Sequence, residues 1–158
     1  MLAMNQLAAA ERYDSWYDSP LGNFSFVAET ELLRHGIGEI DRRSISEVGC
    51  GTGRFLLSLA KNAAAAAGVD QDHAMLEIAR QRATHNATEF TWIQAAAASV
   101  PLPDSSFDLV FESTLLCFQK NPEPILHGMV RLCRSGGTVV IGELNPLSPW
   151  QLWRRAKA

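Results

Sequence analysis

The residues Glu47-Val48-Gly49-Cys50-Gly51-Thr52-Gly53 carry the densest chemical signal in the chain. A short strand, Ser44 to Val48, runs into the glycines, and a helical stretch from Arg54 to Lys61 leaves them. Glycines at such a junction let the backbone approach a ligand and adopt positive φ, while the first turn of the helix offers unpaired N–H groups. Twenty-one residues beyond Gly49 stands Asp70, at the end of the next expected strand. A carboxylate delivered there can accept both hydroxyls of a ribose, because ligands of open α/β sheets bind beyond the strand ends. Alone, Asp70 would read as a cap for the helix beginning near Asp72. Joined to the glycine loop at this spacing, it reads as a ligand contact.

The loop does not suit a dinucleotide. A G-x-G-x-x-G pattern would set its third glycine at position 54, which is Arg54. Glu47, two residues ahead of the first glycine, would repel a pyrophosphate and suits a cationic ligand better. Cys50, Cys117 and Cys133 are odd in number and far apart, so they form neither a metal-ligand pattern nor an evident disulfide framework. His35, His73, His85 and His127 lie in no motif and read as surface or capping residues. No catalytic residue is assigned.

A loop of this kind must be held by alternating strands and helices. Ala65 to Asp70, Phe90 to Gln94, Phe107 to Glu112 and Thr138 to Glu143 read as further strands, with helices at His73 to His85 and Pro122 to Leu132. That rhythm implies an α/β fold with a mostly parallel sheet covered on both faces. Ahead of it, Gln6 to Asp18 reads as a helix stopped by Ser19-Pro20, and Leu21 to His35 as a second, amphipathic one. Arg134-Ser135-Gly136-Gly137 reads as a turn after a helix. One conflict stands out: the run Ala63 to Ala67 falls where topology demands the second strand, although alanine is a poor strand former.

Composition bounds the function. The chain has 158 residues, 47% hydrophobic and 20% charged, which fits one globular domain. A net charge of -3 gives no field for a phosphate backbone, so nucleic acid is not an expected partner. Met1 to Ala10 lacks a basic n-region, and no stretch of about 18 apolar residues exists to span a bilayer. A cytoplasmic setting is expected.

In this order and spacing the pieces resemble the class I S-adenosylmethionine (SAM) dependent methyltransferases, in particular the type 11 group that includes the ubiquinone and menaquinone biosynthesis enzymes. The resemblance runs from about Tyr13 to Glu143. It is carried by Tyr13-Asp14-Ser15-Trp16-Tyr17, the loop Glu47 to Gly53, Val69-Asp70 with Met75-Leu76, Val100 to Asp104, Phe107 to Val110, and Arg131 to Gly137. It implies a Rossmann-like three-layer sandwich, shortened at the C-terminus, with a helical cap over 1–40, a SAM-binding core over 41–145 and a helical tail over 146–158.

The resemblance also implies roles. The loop, with Cys50 and Gly53, would bind the cofactor, Gly49 and Gly51 lining its methionine part. Glu47 would order the loop and favour the ammonium and sulfonium end, Asp70 would hold the ribose, and Gln71 and Met75 would lie near the adenine. Glu112 and Ser113 would face the methionine moiety. Tyr13 or Tyr17 would close as a lid, or else simply pack within an amphipathic helix. Ala96 stands where the family has an acid for the adenine amino group, which leaves Ala97 to offer a backbone N–H.

The function implied is methyl transfer from SAM to a small, apolar acceptor, with S-adenosylhomocysteine as product and a pocket formed by the N-terminal helices and the loop after the fourth strand. The sulfonium is already activated, so the protein mainly positions and desolvates the reactants. The alternative is a degenerate SAM-binding domain acting as a scaffold, to which Ala96 points. In the tail, Trp150 and Trp153 share a helical face beside Arg154 and Arg155, which either folds back on the sheet or meets a partner such as a second copy in a homodimer.

Overall fold

The computed structural model describes residues 2–84 and 88–145. Two helices, α1 (Leu2–Trp16) and α2 (Pro20–Ile37), lead into alternating units: β1 (Ser44–Val48), α3 (Arg54–Leu59), β2 (Ala65–Asp70), α4 (His73–Ala83), β3 (Phe90–Gln94), β4 (Phe107–Ser113), α5 (Glu123–Leu132) and β5 (Cys133–Gly142). Short 3₁₀ turns cover Ala97–Ser99 and Leu116–Phe118. The five strands are all parallel in the order β3-β2-β1-β4-β5. The chain therefore reverses its direction of winding between β1 and β4. Crevices for ligands open at that switch, beyond the strand ends.

Side chains alternate across the sheet into two cores. On one face Ile45, Ala66, Leu109 and Phe111 pack with Leu33 and Ile37 of α2 and Phe55, Leu56 and Leu59 of α3. On the other, Val48, Val69 and Val110 meet Ile125, Met129 and Leu132 of α5. Arg131 ties α5 to the proline-rich loop by donating to the carbonyls of Val100 (2.8 Å) and Leu102 (2.7 Å) and to Asp104 (2.7 Å). The result is the three-layer α/β architecture.

Ser19 separates the first two helices: its Oγ accepts the Gly22 N–H (3.1 Å), and Pro20 follows at the first helical position. The first helix starts at Leu2, earlier than expected, and ends at Trp16. The expected turn at Arg134 to Gly137 proves to be a bulge inside β5, which begins directly after α5. Pairing passes from Phe107 with Cys133 to Leu109 with Thr138, so these four residues lie opposite Asp108 alone. Gly136 turns left-handed there (φ 76°). Asp108 is engaged sideways, accepting from the Ser44 N–H and Oγ (2.8 Å each) and pairing with Arg134 (2.9 Å). His85 and the tail 146–158, with Trp150 and Trp153, lie outside the described residues.

The alanine strand forms because its position, between β1 and β3, decides against its propensity. Small residues are also demanded by a neighbour. Trp92 is paired with Gly68 in register, and a Cβ on Gly68 would lie 2.4 Å from Trp92 Cζ3 and 2.9 Å from Cys50 Sγ. Gly68→Ala is therefore expected to lower stability by about 1–3 kcal/mol through overpacking. Adding Trp92→Leu should return part of that loss, a coupling that denaturant titrations of the single and double variants measure.

Candidate functional site

The glycine loop is clamped to the end of β2. The N–H groups of Gly49 and Cys50 both donate to the Val69 carbonyl (2.7 and 2.9 Å). That of Gly51 donates to Asp70 Oδ2 (2.8 Å), while Asp70 Oδ1 accepts the Asp72 N–H (2.9 Å). Asp72, not Asp70, caps α4 by accepting from the Ala74 N–H (2.8 Å). Gly49 sits at φ 76°, and a Cβ there would lie 2.9 Å from the Leu115 side chain. The strand, the loop and Asp70 thus form one hydrogen-bonded unit.

Beneath the loop, Glu47 is 1% exposed and its Oε2 accepts the Leu56 N–H (3.0 Å) in the first turn of α3. The cap position itself is Gly53, which has no side chain to do this. Burial pushes the Glu47 carboxyl well above the usual carboxylate range, against the Leu56 hydrogen bond, and the charges of Asp70 and Glu112 push the same way.

A cleft of about 210 Å³ brings Gly49, Asp70, Gln71, Ala96 and Ala97 together with Leu115. Among the described residues no lysine or arginine lines it. Its far wall, Ala95 to Ala98, presents only methyl groups and backbone. The other anticipated residues lie elsewhere. Cys50 and Gly53 are buried within the loop, and Met75 stands on α4 away from the cleft lining. Ser113 lines a second cavity of about 310 Å³ beside α2 and β5. Tyr13 and Tyr17 line the largest, of about 420 Å³, between α1, α2 and the loop after β4. Tyr17 is buried against Phe26 and Phe55, whereas Tyr13 is half exposed, within hydrogen-bond reach of the Tyr17 hydroxyl (3.2 Å) and close to Gly51. His35, His73 and His127 are exposed and line none of these cavities.

Two residues were not singled out from the sequence. Leu115 separates the cleft from the larger cavity, which Thr114 lines. Asp14 joins the N-terminal helices to the loop by accepting from Thr52 Oγ1 (2.6 Å), Arg54 Nε (2.9 Å) and Arg82. Burial works to raise Asp14, but the hydrogen bonds from Arg54, Arg82 and Thr52 overcome it and hold the group at about 2. Its place inside the Tyr13 to Tyr17 segment was the available signal. Among the described residues no group of His, Cys, Asp and Glu could hold a metal ion.

Glu112 is fully buried at the end of β4. Its Oε2 accepts the Leu115 N–H (2.8 Å) and its Oε1 has no hydrogen-bond partner among the described residues. Burial pushes its carboxyl up to about 7, with Glu143 adding to the shift. Between the ordinary value of 4.5 and about 7 the folded state therefore binds more protons than the unfolded one. Stability should be full below pH 4.5 and fall as pH rises through that window, by an amount of the order of 3 kcal/mol. Glu112→Gln, which keeps an acceptor for Leu115, should flatten this slope in denaturant titrations run from pH 4.5 to 8.

The sequence matches the family described as "Methyltransferase domain" over residues 46–141. An uncharacterised protein of Mycobacterium tuberculosis is 35% identical over 141 residues, covering 89% of this chain and 46% of that one. The phosphatidylethanolamine N-methyltransferase of Cereibacter sphaeroides is 33% identical over 85% of this chain and 66% of its own. Among solved structures, a SAM-dependent methyltransferase of Thermotoga maritima, titled a "possible histamine N-methyltransferase", superposes with a TM-score of 0.77 at 26% identity, over 96% of this chain and 66% of that one. The chain spans about half the length of the first of these relatives. No described helix is long and apolar enough to cross a membrane. The matched segment begins in β1, takes in the glycine loop and Asp70, and ends in β5, and by it the chain belongs to the class I SAM-dependent methyltransferases.

Proposed function

We propose that this chain binds SAM in the cleft beside Asp70 and transfers its methyl group to a small molecule held in the larger cavity under α1 and α2. The observation that carries the reading is the Asp70 carboxylate, which lines the cleft while fixing the Gly51 N–H of the loop. The donors present fit the cofactor. Asp70 retains lone pairs for a ribose diol, the described lining of the cleft carries no cation that would call for a phosphate, and the Asp70 carboxylate provides a negative charge toward a sulfonium and an ammonium. When bound, the cofactor supplies an activated methyl group on a positively charged sulfur.

What the chain's own residues do is position and exclude water. Asp70 and the Gly49 to Gly51 backbone orient the nucleoside side, with Gln71, Ala96 and Ala97 along the base. Glu112 shapes the Ser113 to Leu115 turn that divides the two cavities. Tyr13, beside Gly51, serves as a lid over the loop. In the same reading residues 1–40 act as a cap on a core over 41–145, and the protein works in the cytoplasm without nucleic acid, as a monomer or a homodimer.

Calorimetry with S-adenosylhomocysteine and NAD tests the cofactor: the first should bind and the second should not. Asp70→Ala should weaken S-adenosylhomocysteine binding by about 1.5–3 kcal/mol, the range for hydrogen bonds to a charged group. Unchanged affinity would remove the ribose contact from the proposal. Ala96→Asp should tighten binding by about 0.5–1.5 kcal/mol by giving the adenine amino group an acceptor, and the same titration reads it.

A further inference from the structure

The cavity of about 420 Å³ has a chemical character of its own. Tyr13 and Trp16 of α1 and Tyr17 just beyond it wall one side, Leu21 and Glu29 of α2 another, and Phe118 closes it beyond β4. The rings meet edge-on, Trp16 with Tyr17 at 5.0 Å and 76°, Tyr13 with Tyr17 at 5.7 Å and 78°. Aromatic faces therefore point in different directions around the space. Tyr17 already carries the Arg54 guanidinium 5.3 Å from its ring centroid. That cation is neutralised by Asp14 and Asp18, so it contributes little net field. Trp16 and Tyr13 are 42% and 45% exposed and remain available.

Glu29 is the acid in this lining. It forms no hydrogen bond or ion pair with any described residue, unlike Glu31 two residues on, which pairs with Arg34. Burial pushes its carboxyl above the ordinary value, and its charge bears on the Tyr13 and Tyr17 hydroxyls. A half-buried carboxylate without a partner costs free energy that an incoming cation would recover. Aromatic faces around it stabilise the same kind of ligand, since the ring quadrupole attracts a desolvated cation. The cavity, at about 420 Å³, is of a size that holds small organic ligands. It also adjoins the glycine loop: a Cβ on Gly51 would lie 3.9 Å from Tyr13 Cε1, and Thr114 in its wall is followed by Leu115 in the cleft.

We propose that this cavity binds an organic ammonium ion with an apolar body, Glu29 acting as its counter-ion and Trp16 and Tyr13 as the rings that face it. Resting on the methyltransferase reading, this makes the acceptor an amine, held as its ammonium and passing one proton to the Glu29 carboxylate so that the freed nitrogen lone pair takes the methyl group as its bond to sulfur breaks, and not a neutral phenol or alcohol. Binding alone tests it, without turnover. 2-Phenylethylamine and its neutral counterpart 2-phenylethanol are titrated into the protein at neutral pH, followed by calorimetry and tryptophan fluorescence. The amine should bind roughly tenfold more tightly or better, given the strength of hydrogen bonds to charged groups. Glu29→Gln should erase that preference while leaving S-adenosylhomocysteine affinity within about twofold, and Trp16→Ala should weaken both probes. Equal affinity for the two probes, a preference that survives Glu29→Gln, or no binding of either overturns the assignment. If S-adenosylhomocysteine fails to bind while the amine preference stands and depends on Glu29, the cofactor reading falls and the cation site holds.

Discussion

Glu47 takes the N–H of Leu56 from a position almost wholly shut off from water, and the glycine-loop end of the sheet hangs from that bond. An ionised carboxyl so placed would carry a desolvation cost of several kcal/mol, which is why the group is driven toward its neutral form. A neutral acid still accepts an N–H, so the bond survives the loss of charge. Through it the end of β1 is tied to the start of α3, and the glycines between are held as a fixed arch. The arch in turn sets Gly51 where Asp70 can accept its N–H. Breaking the buried bond would therefore release the α3 end of the arch and leave the loop held only by its bonds to Val69 and Asp70.

The two N-terminal helices are held by the opposite means. Their contact with the loop is a part-buried polar network in which Asp14 is shared by Thr52, Arg54 and Arg82, and Arg54 reaches on to the exposed Asp18. Multidentate pairs of this sort fix orientation more than they add stability. The apolar part of the docking belongs to α2, through Leu33 and Ile37, and to Tyr17. Position and adhesion are thus divided between α1 and α2, and the walls of the large cavity come from both.

Much of the sheet was legible because parallel strands read as short apolar or small-residue runs closed by glycine, proline or aspartate. β1, β2 and β3 lie where expected to the residue, even across Ala65 to Ala67, where the alternation of elements outweighed propensity. The start of β5 was not legible, since Ser135-Gly136-Gly137 has the composition of a turn and only the pairing with β4 makes it a bulge. At the site, spacing alone pointed to Gly49, Gly51 and Asp70, because loop and strand end are defined by local sequence. Leu115, Asp14 and Glu29 escaped it. Their surroundings are made by elements tens of residues away, and no local pattern records that Asp14 will meet Arg82 or that Glu29 will meet no partner among the described residues.

The bulge opposite Asp108 is a joint and not a loop. α5 passes directly into β5, and its Ile125 forms part of the cleft wall. Arg134 to Gly137 stand out of register, yet Arg134 is pinned to Asp108 (2.9 Å) and to Ser44 Oγ (3.0 Å), and the ladder resumes with Leu109 and Thr138. The space inside is filled: a Cβ on Gly137 would lie 2.6 Å from Cys133 Sγ and 2.7 Å from the Asp108 carbonyl oxygen. A side chain added at that one position would therefore be felt at both ends of the joint, in the β4–β5 ladder and in the helix that walls the cleft.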